Sequence, residues 1–317
     1  MTTWQPSASV DALRQRAALN ATIRSFFAER GVMEVETPIL SIAGNTEPNI
    51  ESFQTEYAGR SEHGDVRRWL RTSPEFFLKR LLAAGVGDCY ELGRVFRNGE
   101  SGISHNPEFT MLEWYRVGWQ LEELIDECVA LVQTVASRPD LPVHRYTYAD
   151  LYLEYCGIDV DHSSDKDLRR ALGDTVINAD GVSRDDWLDL LMTHKIQSAM
   201  PSDAIISIRD FPATQSALAK VIGNRAQRFE LYWGGREIAN GYHELTDAKE
   251  QMRRFERDAK RRLDRGQPEI AMDQHLLHAL PNMPECCGVA IGVDRLLIVL
   301  METPRIADTV AFDFERS

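Results

Sequence analysis

Side chains able to do chemistry are concentrated in three separated segments of the chain. The longest reads Arg94-Val-Phe-Arg97-Asn-Gly-Glu-Ser-Gly-Ile-Ser-His105-Asn106-Pro-Glu-Phe109-Thr-Met-Leu-Glu113-Trp-Tyr115. It offers an arginine, a histidine, an asparagine and acids around one polar, glycine-bearing stretch. On an antiparallel hairpin, residues two apart point to the same face. Arg97, near the start of the loop, could therefore hold a phosphate with both arms of its guanidinium. A later segment, Gly288-Val-Ala-Ile-Gly292-Val-Asp-Arg295-Leu, sets an arginine at a helix start behind small residues that let a ligand approach closely. Arg295 there could stack on an aromatic base and pair with a phosphate. The first segment, Gly31-Val-Met-Glu-Val-Glu-Thr-Pro38, is a helix end followed by a strand that stops at the proline. Either arginine taken alone reads as a surface ion pair; the two together, each in this local context, point to a nucleotide.

The elements that must position these groups follow from apolar spacing and turn residues. Residues 10–30 read as an amphipathic helix stopped by Gly31, and Val32–Val35 as a short strand ended at Thr37-Pro38. Ala43–Asn49 is loop-like, Trp69–Thr72 a strand, and Pro74 the first residue of a helix running to Ala84. Cys89–Arg97 and Phe109–Arg116 are the arms of a hairpin whose loop is Asn98–Pro107. Helices are expected over Leu121–Ala136 and Asp185–Ser198, and a strand over Ala204–Arg209 ended by Asp-Phe-Pro. Residues 138–183 carry helices and turns with no chemical signature. Arg228–Trp233 and Arg236–Asn240 read as strands joined by Gly234-Gly235, with a long helix from Thr246 to Arg265 after them. Gly288–Gly292 is a strand and Val293–Met301 a helix. Neighbouring hairpins rather than strand–helix–strand repeats predict an α+β fold, an antiparallel sheet flanked by helices in a single domain over residues 1–317.

Composition narrows the function classes. The 317 residues carry 36 Lys+Arg against 49 Asp+Glu, a net charge of −13, and are 43% apolar and 27% charged, as in ordinary globular chains. No apolar run has the roughly 18–20 residues of a membrane helix, and Met1–Asp11 shows no leader, so a cytoplasmic protein is expected. Cys89, Cys128, Cys156, Cys286 and Cys287 form no C-x-x-C pair and read as reduced core fillers. Isolated His63, His144, His162 and His194 read as surface or loop residues. The acid balance argues against a long nucleic-acid partner. Gln251–Arg265 is locally basic with mixed signs at helical spacing, and reads as a solvated helix or as a docking patch.

The three segments resemble motifs 1, 2 and 3 of the class II aminoacyl-tRNA synthetases, and the lysine branch in particular. The stretches His105-Asn-Pro-Glu-Phe-Thr-Met-Leu-Glu-Trp-Tyr115 and Gly235-Arg-Glu-Ile-Ala-Asn-Gly-Tyr-His-Glu-Leu245 carry the resemblance, which runs from about residue 10 to residue 314. Lysyl-tRNA synthetases also carry an N-terminal anticodon-binding barrel, for which this chain leaves no room. A core without that barrel resembles the family of ligases that attach (R)-β-lysine to a lysine of elongation factor P. Ser73 where the synthetases carry Ala, His243 where they carry Ser, and Ala290 where they carry Gly favour that branch.

The resemblance implies adenylation of a carboxylate by ATP with Mg²⁺, then attack of an amine on the adenylate. It places Arg97 at the α-phosphate and substrate carboxylate, His105 near the outer phosphates, Asn106 on the nucleotide, and Phe109 and Arg295 about the adenine. Arg97 and Arg295 are its catalytic pair; Glu230 and Glu237 would hold Mg²⁺, and Ile238 and Gly292 would line the nucleotide site. Glu244 would meet the terminal ammonium of (R)-β-lysine, and Glu75 and Tyr115 its other amine, with Ser73, Pro74, Asn240 and Ala290 shaping the pocket. Glu113 is either a further pocket acid or a support of the hairpin. The family loop reads Arg-Asn-Glu, whereas here it is Arg97-Asn98-Gly99-Glu100, so Gly99 would offer adenine only its backbone. Motif 1, ending at Pro38, implies a homodimer. Two alternatives stay open: a lysyl-tRNA-synthetase paralogue charging another acceptor, and a non-catalytic sensor of lysine or ATP.

Overall fold

The apolar periodicity of residues 10–30 produces a helix, Val10–Glu29, whose Ser9 hydroxyl accepts the Ala12 N–H at 3.1 Å and caps it. The structure is a computed structural model that describes residues 4–60, 66–173 and 181–317; His63 lies outside the described residues.

In chain order the first elements are α1 (Val10–Glu29), β1 (Met33–Glu34), β2 (Leu40–Ser41), β3 (Gln54–Glu56), β4 (Arg67–Leu70), α2 (Glu75–Ala83), β5 (Cys89–Phe96) and β6 (Glu108–Val117). Then come α3 (Leu121–Val135), β7 (Val143–Thr147), α4 (Tyr148–Cys156), α5 (Asp165–Leu172), α6 (Arg184–Leu191), a π-helical turn Met192–Ile196 and α7 (Gln197–Ala199). These are followed by β8 (Ile205–Pro212), β9 (Val221–Ile222), β10 (Arg225–Trp233) and β11 (Arg236–His243). The last are α8 (Ala248–Asp264), α9 (Gln274–Ala279), β12 (Cys286–Gly292) and α10 (Val293–Leu300). The chain forms two units: residues up to Trp119 together with Leu245–Ser317, and Gln120–Glu244.

In the first unit β5 and β6 form the expected hairpin, in register from Cys89↔Tyr115 to Phe96↔Glu108. Strand β12 adds antiparallel to β6, and β1 adds to the other side of β5. The β1–β5 pair is parallel, and the long connection a parallel pair needs is residues 35–88, which carry β2, β3, β4 and α2. A separate three-stranded sheet runs β2-β4-β3. One face of the main sheet buries Tyr90 and Trp114 against Phe27 of α1, with ring centroids 4.5 and 5.3 Å apart. The opposite face carries Glu91, Glu113, Phe109, Tyr115 and, from β12, Gly288, Ala290 and Gly292.

In the second unit the order is β11-β10-β8-β7, with β9 on β10. The β7–β8 pair is parallel, bridged by α4–α7 as a crossover requires. Its core is built from Tyr148, Leu151, Tyr152, Leu168, Trp187, Leu188, Leu191, Ile206 and Ile208. Tyr148 donates to Tyr152 at 2.8 Å and Tyr152 to the Leu188 carbonyl at 2.8 Å, which satisfies two hydroxyls in an apolar setting.

The α+β fold with a mostly antiparallel sheet is as expected, and among the described residues β1–β5 and β7–β8 pair in parallel. Several finer expectations are corrected. The helix expected over 185–198 is broken by the π turn at Met192–Ile196. Asp-Phe-Pro does not end β8: Asp210 takes a positive φ of 60° and the strand runs on to Pro212, whose missing N–H falls at the last residue. Pro74 flanks α2 rather than opening it. Residues 138–183 contain the strand β7. Helix α8 is not solvated all round: Arg254 and Arg262 are buried on ion pairs to Glu250 and Glu51. Among the described residues no helix is long and apolar enough to cross a membrane.

Candidate active site

In the first unit the site is built on the face of β5, β6 and β12 opposite α1. Glu113 lies between Glu91 on β5 and Ala290 on β12. It is 3% exposed, and its two oxygens accept from Ser73 Oγ and Tyr115 Oη, each at 2.7 Å. A buried carboxylate thus binds a residue of the α2 approach to a residue of β6. Ser73 Oγ also accepts the Glu75 N–H at 2.9 Å, satisfying a free donor at the start of α2. Glu75 itself is held by the buried Lys79 one turn on, at 2.6 Å. Glu91 is sealed in the same row by Arg71 at 2.7 Å and Thr37 Oγ1 at 2.7 Å.

The hairpin loop carries Arg97 and its neighbours. Arg97 N–H donates to the Pro107 carbonyl at 2.8 Å and closes the loop neck. Its guanidinium carbon stands 5.2 Å from the centre of the Phe109 ring. Its Nη1 is 3.8 Å from Glu100, and its Nε is buried with no acceptor among the described residues. A buried donor of this kind is costly unless an anion meets it. Gly99 has φ +80°, a conformation in which a side chain is strained, so the glycine suits this loop as it is folded. His105 lies against Arg295, Nε2 accepting from Nη2 at 2.7 Å, which leaves the His105 proton on Nδ1. The Asn106 amide is engaged at both ends, donating to the Glu108 carbonyl at 2.6 Å and accepting from Phe314 N–H at 3.0 Å. It therefore ties the hairpin to the C-terminal segment. Arg295 lies in the first turn of α10, and Gly292 caps that helix.

In the second unit the two-residue Gly234-Gly235 turn, with φ of 58° and 68°, pairs Tyr232 with Glu237. Glu230, two residues back on β10, shares their face. A bulge then skips Ile238, so Asn240 rather than Ala239 stands opposite Glu230. Glu230 is buried; Tyr232 Oη donates to it at 2.7 Å, and the Arg228 guanidinium pairs with its other oxygen. Arg228 also donates to Asn240 Oδ1 at 3.3 Å and to the Gln215 carbonyl at 2.9 Å. Burial pushes the Glu230 carboxyl up to about 7, Arg228 opposes this, and the neighbouring Glu237 adds to it. Two carboxylates on one face supply the hard oxygen donors that Mg²⁺ takes beside phosphates. Among the described residues no cluster of three or more metal-ligating side chains exists. Ile238 and Glu244 are buried, and Glu244 pairs by a backbone bridge with Ala219.

Residues 3–316 match the family described as tRNA synthetases class II (D, K and N). The chain belongs to that class II synthetase family. Among its relatives is the "Elongation factor P--(R)-beta-lysine ligase" of Vibrio parahaemolyticus serotype O3:K6 (strain RIMD 2210633), 43% identical over 320 residues, covering 99% of this chain and 98% of the relative. A protein of the same name from Vibrio campbellii (strain ATCC BAA-1116) is also 43% identical over the same shares. In this class II synthetase chain, sequence reasoning missed three supports of the site. Arg228 sits two residues before Glu230, where alternation alone places it on the same face. Asp294, beside Arg295, accepts Thr110 N–H at 2.6 Å and pairs with Arg16, fixing α10 to β6. Glu51 accepts Asn98 N–H on its carbonyl at 2.8 Å. Arg228 and Glu51 lie outside the motif segments, while Asp294 lies inside the last of them, next to Arg295. The five cysteines are free; all but Cys156 are buried, and burial pushes the Cys89 thiol up to about 12.

Proposed function

We propose that this chain is an ATP-dependent, AMP-forming ligase that activates (R)-β-lysine and transfers it to the ε-amino group of a lysine on elongation factor P. The observation that carries this reading is the 43% identity, over 99% of this chain and 98% of the relatives, to proteins bearing that ligase's name.

The substrate carboxylate is already a nucleophile, so adenylation needs alignment and charge stabilisation rather than an enzyme base. Arg97, whose buried Nε lacks an acceptor among the described residues, receives the α-phosphate and the carboxylate on this reading. His105 and Arg295 serve the outer phosphates and the base, and Phe109 stacks on the adenine. Gly99, Asn98 and Gly292 meet the nucleotide through the backbone. Glu230 and Glu237 would hold Mg²⁺, which supplies charge neutralisation between phosphates when bound. In the first unit Glu75, with Ser73, Pro74, Tyr115 and Ala290 around it, would offer a carboxylate to one amine of a dibasic substrate, and in the second unit Glu244, with Asn240, would offer one to the other. The methyl of Ala290, opposite the Glu113–Tyr115 pair, adds bulk where the synthetases have glycine. One methyl discriminates by about 1–3 kcal/mol, so α-lysine is a weaker substrate rather than an excluded one.

The unbroken family match over 3–316 supports reading both units as one catalytic domain. The free thiols support a cytoplasmic setting. Exposed Met33, Ile39, Leu40 and Ile42, around Pro38, support a homodimer through motif 1. Intact-mass measurement of elongation factor P after incubation with enzyme, ATP and (R)-β-lysine tests the assignment. A gain of one β-lysyl group on a lysine is expected; an unmodified acceptor in the presence of demonstrated adenylate formation contradicts it.

A further inference from the structure

Residues 45–51, between β2 and β3, have no regular strand or helix, yet they are gripped from two sides within the first unit. On one side, the Glu51 carbonyl accepts Asn98 N–H at 2.8 Å in an isolated antiparallel bridge. Asn98 follows Arg97 directly, so this bridge fixes the backbone that carries the Arg97 guanidinium. On the other side stands the end of α8. Arg262 Nη2 donates to Glu51 Oε2 at 2.7 Å, Arg265 Nη1 to Asn49 Oδ1 at 2.7 Å, and Gln267 Nε2 to the Pro48 carbonyl at 3.0 Å. The Arg262 side chain is 1% exposed. An ionised guanidinium so deeply buried holds its carboxylate partner in place, because losing the partner leaves a desolvated charge. The loop also lies within electrostatic reach of the site: burial pushes the Glu47 carboxyl up, while the charges of Arg97 and Arg265 oppose this.

We propose that Arg262 and Glu51 are positioning residues for Arg97: the buried ion pair at the end of α8 fixes the Glu51 backbone, and Glu51 in turn fixes the motif-2 loop for adenylation. The inference rests on the reading of Arg97 as the α-phosphate ligand. It assigns a role in the chemistry to a helix whose charges otherwise read as surface decoration. A displacement of about 1 Å at a charge-stabilising group is enough to cost on the order of 100-fold in rate. The pair therefore acts on the rate of the activation step and not on the amino-acid pocket built around Glu113.

The test uses the full chain with Glu51→Ala, and with Arg265→Ala, which touches only the loop's outer edge. Pyrophosphate exchange and ATP-induced melting shifts are measured on each, with circular dichroism to verify folding. Glu51→Ala is expected to lower kcat for exchange by about 10-fold or more, while KM for (R)-β-lysine stays within about twofold of wild type. Arg265→Ala is expected to have a smaller effect of the same kind, and Glu51→Gln an intermediate one. If Glu51→Ala fails to fold, Glu51→Gln is read by the same criterion. A Glu51 variant that melts earlier but keeps wild-type kcat and KM for ATP overturns the proposal, since that is the behaviour of a merely structural pair. Should the wild type show no exchange yet melt later with ATP, the activation reading fails separately. The proposal is then judged on the melting shift, which Glu51→Ala must shrink; an unchanged shift overturns it, and no ATP shift in the wild type overturns both.

Discussion

Glu113 shows how a single buried acid can organise a pocket it need not touch. Its oxygens are both occupied, by Ser73 and by Tyr115, at 2.7 Å each. Converting it to glutamine replaces one acceptor by a donor facing a hydroxyl, and a buried mismatch of that kind costs about 1–3 kcal/mol. We expect Glu113→Gln to raise KM for the amino acid by about 10-fold in the exchange assay, with KM for ATP little changed. The sign of a second residue-scale effect follows from burial. Asp189 accepts from Gln215 Nε2 at 3.2 Å, and burial, aided by Asp185 and Asp186 and opposed by Arg228, pushes its carboxyl from 3.8 up to about 6. A carboxyl that binds its proton more tightly in the folded chain makes the fold lose stability as pH rises from about 4 to 6, and the full penalty is present at pH 7. Asp189→Asn removes that penalty. It should raise unfolding stability modestly at pH 7, because solvent screens this partly exposed carboxyl, and by nearly nothing below pH 4. Melting curves across that range check it; a gain of equal size at both ends contradicts the burial account.

At the scale of elements, the two carboxylates Glu230 and Glu237 owe their common face to a turn. Gly234 and Gly235 both take positive φ, which sets Tyr232 opposite Glu237 and thereby fixes the hairpin register. A β-branched residue is strongly disfavoured there, and a side chain at Gly235 would also crowd the Gln197 carbonyl at 3.3 Å. Gly235→Val should cost about 1–3 kcal/mol in urea unfolding, whereas Gly234→Asn should be close to neutral because asparagine tolerates the left-handed region. The Gly-Gly pair and the flanking strands were legible in the sequence, and so were α1, the β5–β6 hairpin, α3 and α10, whose apolar periods are long and unbroken. The bulge at Ile238 was not legible. Strict alternation from Glu237 puts Ala239, not Asn240, beside Glu230, and only the paired strands show the skipped residue. The π turn in 192–196 was hidden for a similar reason, since one extra residue per turn leaves the apolar spacing of a short helix nearly unchanged. The parallel strands β1 and β7 were hidden because partnership across a sheet is a long-range property that no local pattern records.

At the scale of the whole molecule, the candidate site side chains were named from the resemblance of a few segments, while their supports were not. Arg97, Glu237 and Arg295 stand in the segments that carry the resemblance to class II synthetases, and Glu230 close before one of them. Arg228, Glu51 and Arg262 stand outside them and Asp294 beside Arg295 within one, and all four act by holding a neighbour through contacts that only folding creates. The basic run 251–265 illustrates the difference. Its mixed signs at helical spacing suggested a solvated face, yet Arg254 and Arg262 are buried, each sealed on a carboxylate. The central claim for the molecule is that it forms an aminoacyl-adenylate from a β-amino acid. Pyrophosphate exchange into ATP, run with (R)-β-lysine and with α-lysine side by side, measures it directly. The account predicts exchange that depends on added Mg²⁺ and favours (R)-β-lysine by about 10-fold or more, the worth of a methyl at Ala290. Equal or better exchange with α-lysine, or none with either in folded protein that binds ATP, would contradict it.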